Sequence, residues 1–445
     1  MKPLLGLTCS LVLYACGALN LLATDIVPGA PQEQPIAITG ATIHPVASDA
    51  IEDGTVVFED GRITAVGTDV EIPEGAKRIE AAGKHVYPAL FDAHTQIGLV
   101  EISSVRGTRD MDETGQVNPN VLAWKAVNPD SEVIPVTRSN GVLLALVAAS
   151  GGLLAGQSAV LQLDGWTWED LTLRAPVAMH INWPRMRPVR NFLEGEPPTE
   201  QRRERDAALR RLEDLVTEAK SYHKARSANG DDQSRDARLE ALGPVLSGEL
   251  PVMVRADDLE QIQSAIAFAS RHGLKLILLG GYDAVEAAEL LKAHDVPVIV
   301  GGIYRLPDRR SDDYDAAYTL PERLRKAGVK FCIAGESRFA ASNVRNLPYH
   351  AATAAAFGLP QDEALRAITL WPAEILGVAD RVGSLEEGKD ATLFIADGDI
   401  LETPTQVETA FIHGREVNLD DRHKRLYRKY RERLERQAEA AAETN

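Results

Sequence analysis

The side chains with the clearest potential for chemistry lie in His94-Thr95-Gln96, at the carboxyl end of a β-rich apolar run that begins near Val86. Strand ends are rigid and the loops after them vary, so such positions suit a functional site. Residues two apart point to the same side of a strand, so a His-x-His pair here would converge on one metal ion. Gln96 offers a neutral amide oxygen instead, which is a poor zinc ligand. The first question is therefore whether any metal binds.

The first residues are typical of a secretory leader. Lys2 is followed by an apolar run from Leu4 to Leu22 that is too short and too interrupted for a membrane-spanning helix. We predict residues 1–24 as a signal peptide, with lipid attachment at Cys16 as the alternative to ordinary cleavage. In either case we expect the mature chain outside the cytoplasm, periplasmic or secreted, without a transmembrane segment.

Charge and cysteine content exclude some classes of protein. The 445 residues carry a formal net charge of −17, which argues against nucleic acid as a partner. Of three cysteines, two lie in the predicted leader, so Cys332 remains alone and no intrachain disulfide is expected. Cys332 lies in an apolar run and is predicted to be a core residue rather than a nucleophile.

The order of apolar runs and turns predicts an α/β protein with two parts. Short β-rich runs with turn signals occupy residues 33–86 and return at 382–418, which predicts one small β-sandwich built from both chain ends. Residues 87–381 alternate continuous apolar runs with helical patterns, as expected for a parallel sheet covered on both faces. With the opening strand, the number of runs approaches that of a (β/α)8 TIM-type barrel.

Three further segments stand apart from this repeat. Residues 101–138 are polar and too long for a connecting turn, so we expect a cover over the barrel. Residues 197–247 are predicted to form a charged helical hairpin lying on the barrel. Residues 420–445 form a basic amphipathic helix, for which packing against the acidic body is preferred over contact with an anionic membrane.

Several motifs resemble those of the amidohydrolase superfamily, and in particular its secreted imidazolonepropionase-like branch. They are the strand opening Pro88–His94, the helix Leu370–Gly377 and the re-entry into the β-sandwich at Gly383–Ala391, together with Asn128–Glu132, Arg138–Gly141, Ser150–Gly152 and Leu163–Asp170 for the branch. The resemblance covers nearly all of the mature chain. It implies a (β/α)8 barrel with a composite β-sandwich, and hydrolysis of a non-peptide C–N bond in a cyclic amide or related small substrate by metal-bound water.

The resemblance also implies a ligand set that this chain keeps only in part. The superfamily places His-x-His on the first barrel strand, a ligand on the fourth, His on the fifth and sixth, and Asp on the eighth. Here the second His of the pair is Gln96, the fifth strand ends in Arg255, and Glu336 lies near the expected Asp. Arginine stays protonated and repels a cation, so this change opposes metal binding more than a neutral residue would.

Two hypotheses remain open for the site. In the first, His94, His180 and Glu336 hold one Zn²⁺, or Glu336 acts as the catalytic base. In the second, the barrel is catalytically silent or repurposed and binds a small anionic molecule without metal, with Gln96, Arg255 and Arg338 as binding residues. A small-molecule substrate or ligand is expected in both cases, and the oligomeric state is not predicted.

Overall fold

The computed structural model describes residues 26–189, 196–229, 234–335 and 340–444. The strands are Ile36–Ile43 (β1), Ile51–Glu59 (β2), Arg62–Gly67 (β3), Lys77–Glu80 (β4), His85–Pro88 (β5), Leu90–Thr95 (β6), Val142–Val147 (β7), Leu154–Gln162 (β8), Thr172–Asn182 (β9), Val252–Ala256 (β10), Leu276–Gly280 (β11), Val298–Val300 (β12), Phe331–Ile333 (β13), Leu393–Ala396 (β14), Val407–Ile412 (β15) and Arg415–Val417 (β16). They form two eight-stranded sheets, each with a hydrophobic core of its own.

Helices cover the barrel and extend from the chain end. The α-helices are Val133–Arg138 (α1), Trp168–Leu171 (α2), Pro198–Asn229 (α3), Ala237–Ala241 (α4), Gly243–Leu246 (α5), Leu259–His272 (α6), Ala288–Ala293 (α7), Ala316–Ala327 (α8), Ala340–Asn343 (α9), Leu347–Ala356 (α10), Gln361–Arg366 (α11), Leu370–Ile375 (α12) and Arg422–Thr444 (α13). Short 3-10 turns lie at Arg106–Thr108, Ala123–Ala126, Ala284–Ala287 and Val344–Asn346.

The first eight-stranded sheet is a nearly closed barrel that contains β6 to β13 in chain order. Its last strand contacts its first, and Gly335 N donates to Asp92 Oδ1 at 3.2 Å across this seam. The expected α/β fold class is confirmed, with one departure from a wholly parallel sheet: β8 is antiparallel to both β7 and β9. Only residues 148–153 join β7 to β8, too few for the crossover that a parallel pair needs.

The second sheet joins the two ends of the chain, as the sequence predicts. Its order is β16-β15-β14-β5-β1-β2-β3, with β4 paired to β1. A turn at Asp60 and Gly61, both with positive φ, connects β2 to β3. The antiparallel pairing of β14 with β5 connects the C-terminal strands to the N-terminal ones. Phe58 and Phe411, one from each end, meet edge to face with ring centres 5.0 Å apart in the core of this sheet.

The two insertions and the C-terminal helix differ in how they meet the rest of the chain. Residues 101–138 run along β8, where Gln157 N donates to Val121 O at 2.8 Å. In α3 the stripe of Leu212, Val216 and Ala219 is buried. The expectation that the last helix packs against the body was wrong: Tyr427, Tyr430 and Leu434 on α13 are more than half exposed.

The segment predicted as a leader, residues 1–24, lies outside the described residues. In the ranges that the structure does describe, no helix has the length and apolar character to span a bilayer.

Candidate functional site

The register of the barrel strands decides which side chains face its interior. His180 on β9 pairs with Met253 on β10, and Asn182 pairs with Arg255. Paired residues of parallel strands point to the same face, and residues two apart do so along one strand. His180 and Arg255 are therefore on the same side of the sheet, with Arg255 two positions closer to the carboxyl ends of the strands. On β6, Asp92 and His94 are two residues apart, and His94 N donates to Asp92 Oδ1 at 3.2 Å.

His94 and His180 form a buried pair of imidazoles at the carboxyl ends of β6 and β9. They are 3% and 5% exposed, and their ring centres are 5.7 Å apart with an interplanar angle of 41°. Burial and, secondarily, the positive charge of Arg255 lower the pKa of His94 to about 3. Burial, then the charges of His94 and Arg255, lower the pKa of His180 well below its usual value. Both rings are neutral at physiological pH.

The positive charge of Arg255 acts on both rings, because it contributes to the lowered pKa of His94 and of His180. Its side chain is partly exposed at the mouth, and its backbone oxygen accepts a hydrogen bond from Trp183 N at 3.1 Å. A guanidinium remains protonated under all physiological conditions. The mouth of the barrel therefore combines a fixed positive charge with two neutral imidazoles.

Asp92 is a fully buried carboxylate that the sequence-based site did not include. Its Oδ1 accepts hydrogen bonds from the backbone of His94 and of Gly335, both at 3.2 Å. A Cβ on Gly335 would lie 2.9 Å from Asp92 Oδ2, so a larger residue there would require the carboxylate to shift. Burial and then the charge of Asp92 raise the pKa of Cys332 well above its usual value, in accord with a core role for this thiol. The signal that points to Asp92 is its position two residues before His94.

A second polar network lies beside the mouth and was also not predicted. Asp257 and Asp283 follow β10 and β11, while Arg305 and Arg309 lie in the segment after β12. Arg309 Nη1 donates to Asp283 Oδ1 at 2.9 Å, and Arg305 Nη1 lies 3.4 Å from Asp257 Oδ1. The Arg305 guanidinium lies 4.9 Å from the ring centre of Tyr282. These contacts tie the segment after β12 to the ends of two barrel strands.

The predicted site residues have different outcomes. His94 and His180 lie side by side, and Arg255 is close enough for its charge to act on both rings. Gln96 is half-buried in the turn after β6, where its backbone oxygen accepts from Leu99 N at 2.9 Å. Glu336 and Arg338 lie outside the described residues.

The fit of a zinc ion to these residues is incomplete. Two imidazoles with centres 5.7 Å apart are spaced to share one ion. In residues 26–189, 196–229, 234–335 and 340–444, however, no three His, Cys, Asp or Glu side chains come together in a group that holds a metal. Arg255 adds a positive charge where the superfamily resemblance expects a ligand. The described donors therefore do not make a metal site on their own.

Comparisons with known proteins agree with this architecture. The amidohydrolase family model matches residues 194–417. The imidazolonepropionase of Mesorhizobium japonicum is 26% identical over 388 residues, which cover 80% of this chain and 88% of that protein. The imidazolonepropionase of Rhizobium meliloti is 26% identical over 367 residues, 78% of this chain and 85% of that protein. An amidohydrolase structure from Thermotoga maritima has a TM-score of 0.76 and 26% identity, covering 86% of this chain and 99% of its own.

The barrel with its composite sandwich defines the class of protein, a TIM-type hydrolase fold. More particularly, this chain belongs to the amidohydrolase family, whose members hydrolyse C–N bonds.

Proposed function

We propose that this member of the amidohydrolase family binds a small molecule with a carboxylate group at the mouth of its barrel, without a metal ion. The observation that carries the proposal is the position of Arg255 on the same side of the sheet as His180, beside the imidazole pair of His180 and His94. The charge of Arg255 accordingly lowers the pKa of both rings. A cation placed close enough to do this opposes a metal ion between the rings and favours an anionic ligand. Arginine also binds carboxylates through two parallel hydrogen bonds.

The comparisons support a particular class of ligand. The names of two relatives specify imidazolonepropionate, a small ring with a C–N bond and a propionate arm. A ligand of this kind would place its carboxylate on Arg255 and the polar edge of its ring on the imidazoles. Within the described part of the chain, His180 Nε2 is buried and has no hydrogen-bond partner, so a ligand atom there would satisfy it. We therefore propose a cyclic amide or imide that bears a carboxylate arm.

Calorimetry with two matched compounds tests this function. Hydantoin propionate supplies both ring and carboxylate, and hydantoin supplies the ring alone. We expect the first to bind and the Arg255→Met variant to lose roughly 10- to 100-fold in affinity, as for loss of a charge-assisted hydrogen bond. Arg305→Met is the matched control, because Arg305 contacts Asp257 and Asp308 rather than the imidazole pair. Equal affinity for both compounds, or for both variants, would contradict the proposal.

The second candidate is the metal-dependent hydrolysis typical of the family, with His94, His180 and Glu336 as the predicted ligands. The spacing of the two rings supports it. Elemental analysis of the purified chain separates the two candidates. Stoichiometric zinc that is lost in His94→Ala, together with ring opening of the propionate compound, would favour the hydrolase. Protein without zinc that binds this compound unchanged would favour the binding barrel.

We also propose that the chain works outside the cytoplasm, on the basis of the leader-like residues 1–24. Fractionation of cells that express the full chain tests this proposal. We expect the protein outside the cytoplasmic fraction and shortened at its N-terminus, and a full-length cytoplasmic product would contradict it.

A further inference from the structure

The last helix, α13, exposes a stripe of large apolar side chains along a strongly basic surface. Leu426, Tyr427, Tyr430 and Leu434 are 39%, 64%, 52% and 65% exposed. With about 100° between successive helical residues, these four lie on one side of the helix, followed by Ala438 and Ala441. Exposed side chains of this size aligned on one face mark an interaction surface rather than a solvated helix.

The charged residues of α13 are distributed unevenly around this stripe. From Arg422 to Arg431 the helix carries six Arg or Lys residues and no acidic one. Counting about 100° per residue, Arg433 borders the stripe on one edge, and Lys424 and Arg431 border it on the other. Of the glutamates whose side chains are described, Glu432 and Glu439 lie on the opposite face, and Glu435 is paired with Arg431 at 3.0 Å. The apolar stripe is therefore flanked by positive charge on both edges.

The first turn of α13 is anchored firmly to the body. Asp421 is buried, and its Oδ1 accepts from the backbone of His423 at 2.6 Å and of Lys424 at 2.9 Å. Arg425 donates to Glu132 at 3.0 Å. Beyond Arg425, the described side chains of the helix are exposed, so the helix projects from a fixed base.

Two other exposed apolar side chains lie near the segment that anchors α13. Val27 and Trp166 are 61% and 66% exposed. Both line a cavity of about 210 Å³ together with Asp130 and Ile134, which lie on either side of the residue that anchors α13, Glu132. The segment around residues 129–138 thus connects the projecting helix with a second exposed apolar patch.

We propose that α13 docks on an anionic lipid surface, with its apolar stripe in the headgroup region and its flanking basic residues on the lipid phosphates. Aliphatic stems of Arg and Lys extend from such edges to keep their charges in the polar layer. Two copies of the chain fit less well on this stripe, because the basic edges of both helices would face each other. The body also remains acidic overall, at a net −17 for the chain, so the attraction is local to the helix.

Flotation with lipid vesicles tests the docking. The protein is the chain without residues 1–24, so that no apolar leader contributes; both hydrophobic cores are formed from described residues after this point. We expect binding to vesicles of equal parts phosphatidylglycerol and phosphatidylcholine, weakening as salt rises, and little binding to phosphatidylcholine alone. Arg431→Gln with Arg433→Gln should lower the partition coefficient roughly 30-fold.

Further variants separate the stripe from its charge. Tyr430→Gln with Leu434→Gln should abolish binding to the anionic vesicles, whereas Glu432→Gln with Glu439→Gln, on the opposite face, should not weaken it. Circular dichroism shows whether each variant retains its fold. Equal binding to both vesicle types, or no binding, overturns the proposal. Sedimentation measures the oligomeric state. A dimer that the Tyr430→Gln and Leu434→Gln changes convert to monomer, together with no vesicle binding, would assign the stripe to a second copy of the chain.

Discussion

Two pairs of histidines, one in each sheet, show how similar side chains serve different ends. In the composite sheet, His44 and His85 stack with ring centres 5.3 Å apart and share a hydrogen bond of 2.9 Å between Nε2 and Nδ1. In the barrel, His94 and His180 are more deeply buried, at 5.7 Å and tilted by 41°. In the first pair, each ring satisfies one nitrogen of the other. The second leaves His180 Nε2 without a partner in the described chain, which is typical of a binding site.

The largest expected effect is a loss of folding stability at acid pH, caused by the barrel pair, His94 and His180. The pKa of His94 is about 3 in the folded chain, and that of His180 is also well below 6.5, near which both titrate when unfolded. Below pH 6.5 the unfolded chain therefore binds more protons, and folding stability falls as pH falls. The slope approaches about 1.4 kcal/mol per pH unit for each imidazole and ends near the folded pKa.

Urea unfolding as a function of pH measures this loss. A variant that replaces both barrel histidines, His94→Gln with His180→Phe, is the control and should lose much less stability between pH 6.5 and the folded pKa of about 3. An equally steep loss in the variant would assign the acid sensitivity to other groups. His44 is one such group, because burial and then the charge of His85 lower its pKa to about 4.

Breaking the sheet pair should have the next largest effect. His85→Phe removes the hydrogen-bond partner of His44 Nε2 in a half-buried setting, and we expect a loss of about 1 to 2 kcal/mol in the free energy of unfolding. His294→Phe, at an exposed helix end, is the matched control and should change stability by less than about 0.5 kcal/mol. Equal effects in the two variants would show that the bond between the rings contributes nothing.

The sequence predicts the scaffold better than the site, for physical reasons. Continuous apolar runs such as Val142–Val147 identify buried barrel strands, because both faces of such a strand are covered. β8 escapes this signal because Gly156, Gln157 and Ser158 interrupt its apolar pattern. The antiparallel direction of β8 depends on the short connection before it, which composition does not reveal.

The site needs distances that spacing along one chain does not give. The strand period predicts from the sequence that Asp92 and His94 share a face, but the hydrogen bond from Gly335 to Asp92 joins residues 243 positions apart. The same limit applies to α13, whose amphipathic pattern is plain from the sequence while the exposure of its apolar stripe is not. Periodicity predicts which face is apolar, and tertiary structure decides what covers it.

Removing the Arg255 cation beside the barrel pair should reduce the loss of folding stability at low pH. In Arg255→Met the pKa values of His94 and His180 should rise, because a positive charge that lowers both is gone. The sign follows directly: a folded pKa closer to 6.5 means a smaller loss of stability on acidification. Urea unfolding over the same pH range measures the change. Arg305→Met should leave the acid response as it is, and an unchanged response in Arg255→Met would place the guanidinium too far from the rings to matter.

The smallest effect on stability is expected for His180→Phe, the barrel counterpart of His85→Phe in the sheet pair. The substitution removes a buried nitrogen that no described group satisfies, and the new ring fills a similar volume. We expect a free energy of unfolding at neutral pH that is unchanged or higher by up to about 1 kcal/mol, opposite in sign to His85→Phe. Calorimetry should at the same time show weaker binding of the carboxylate-bearing cyclic amide. A large loss of stability would mean that His180 has a structural partner and that the barrel pair, like the sheet pair, is closed on itself.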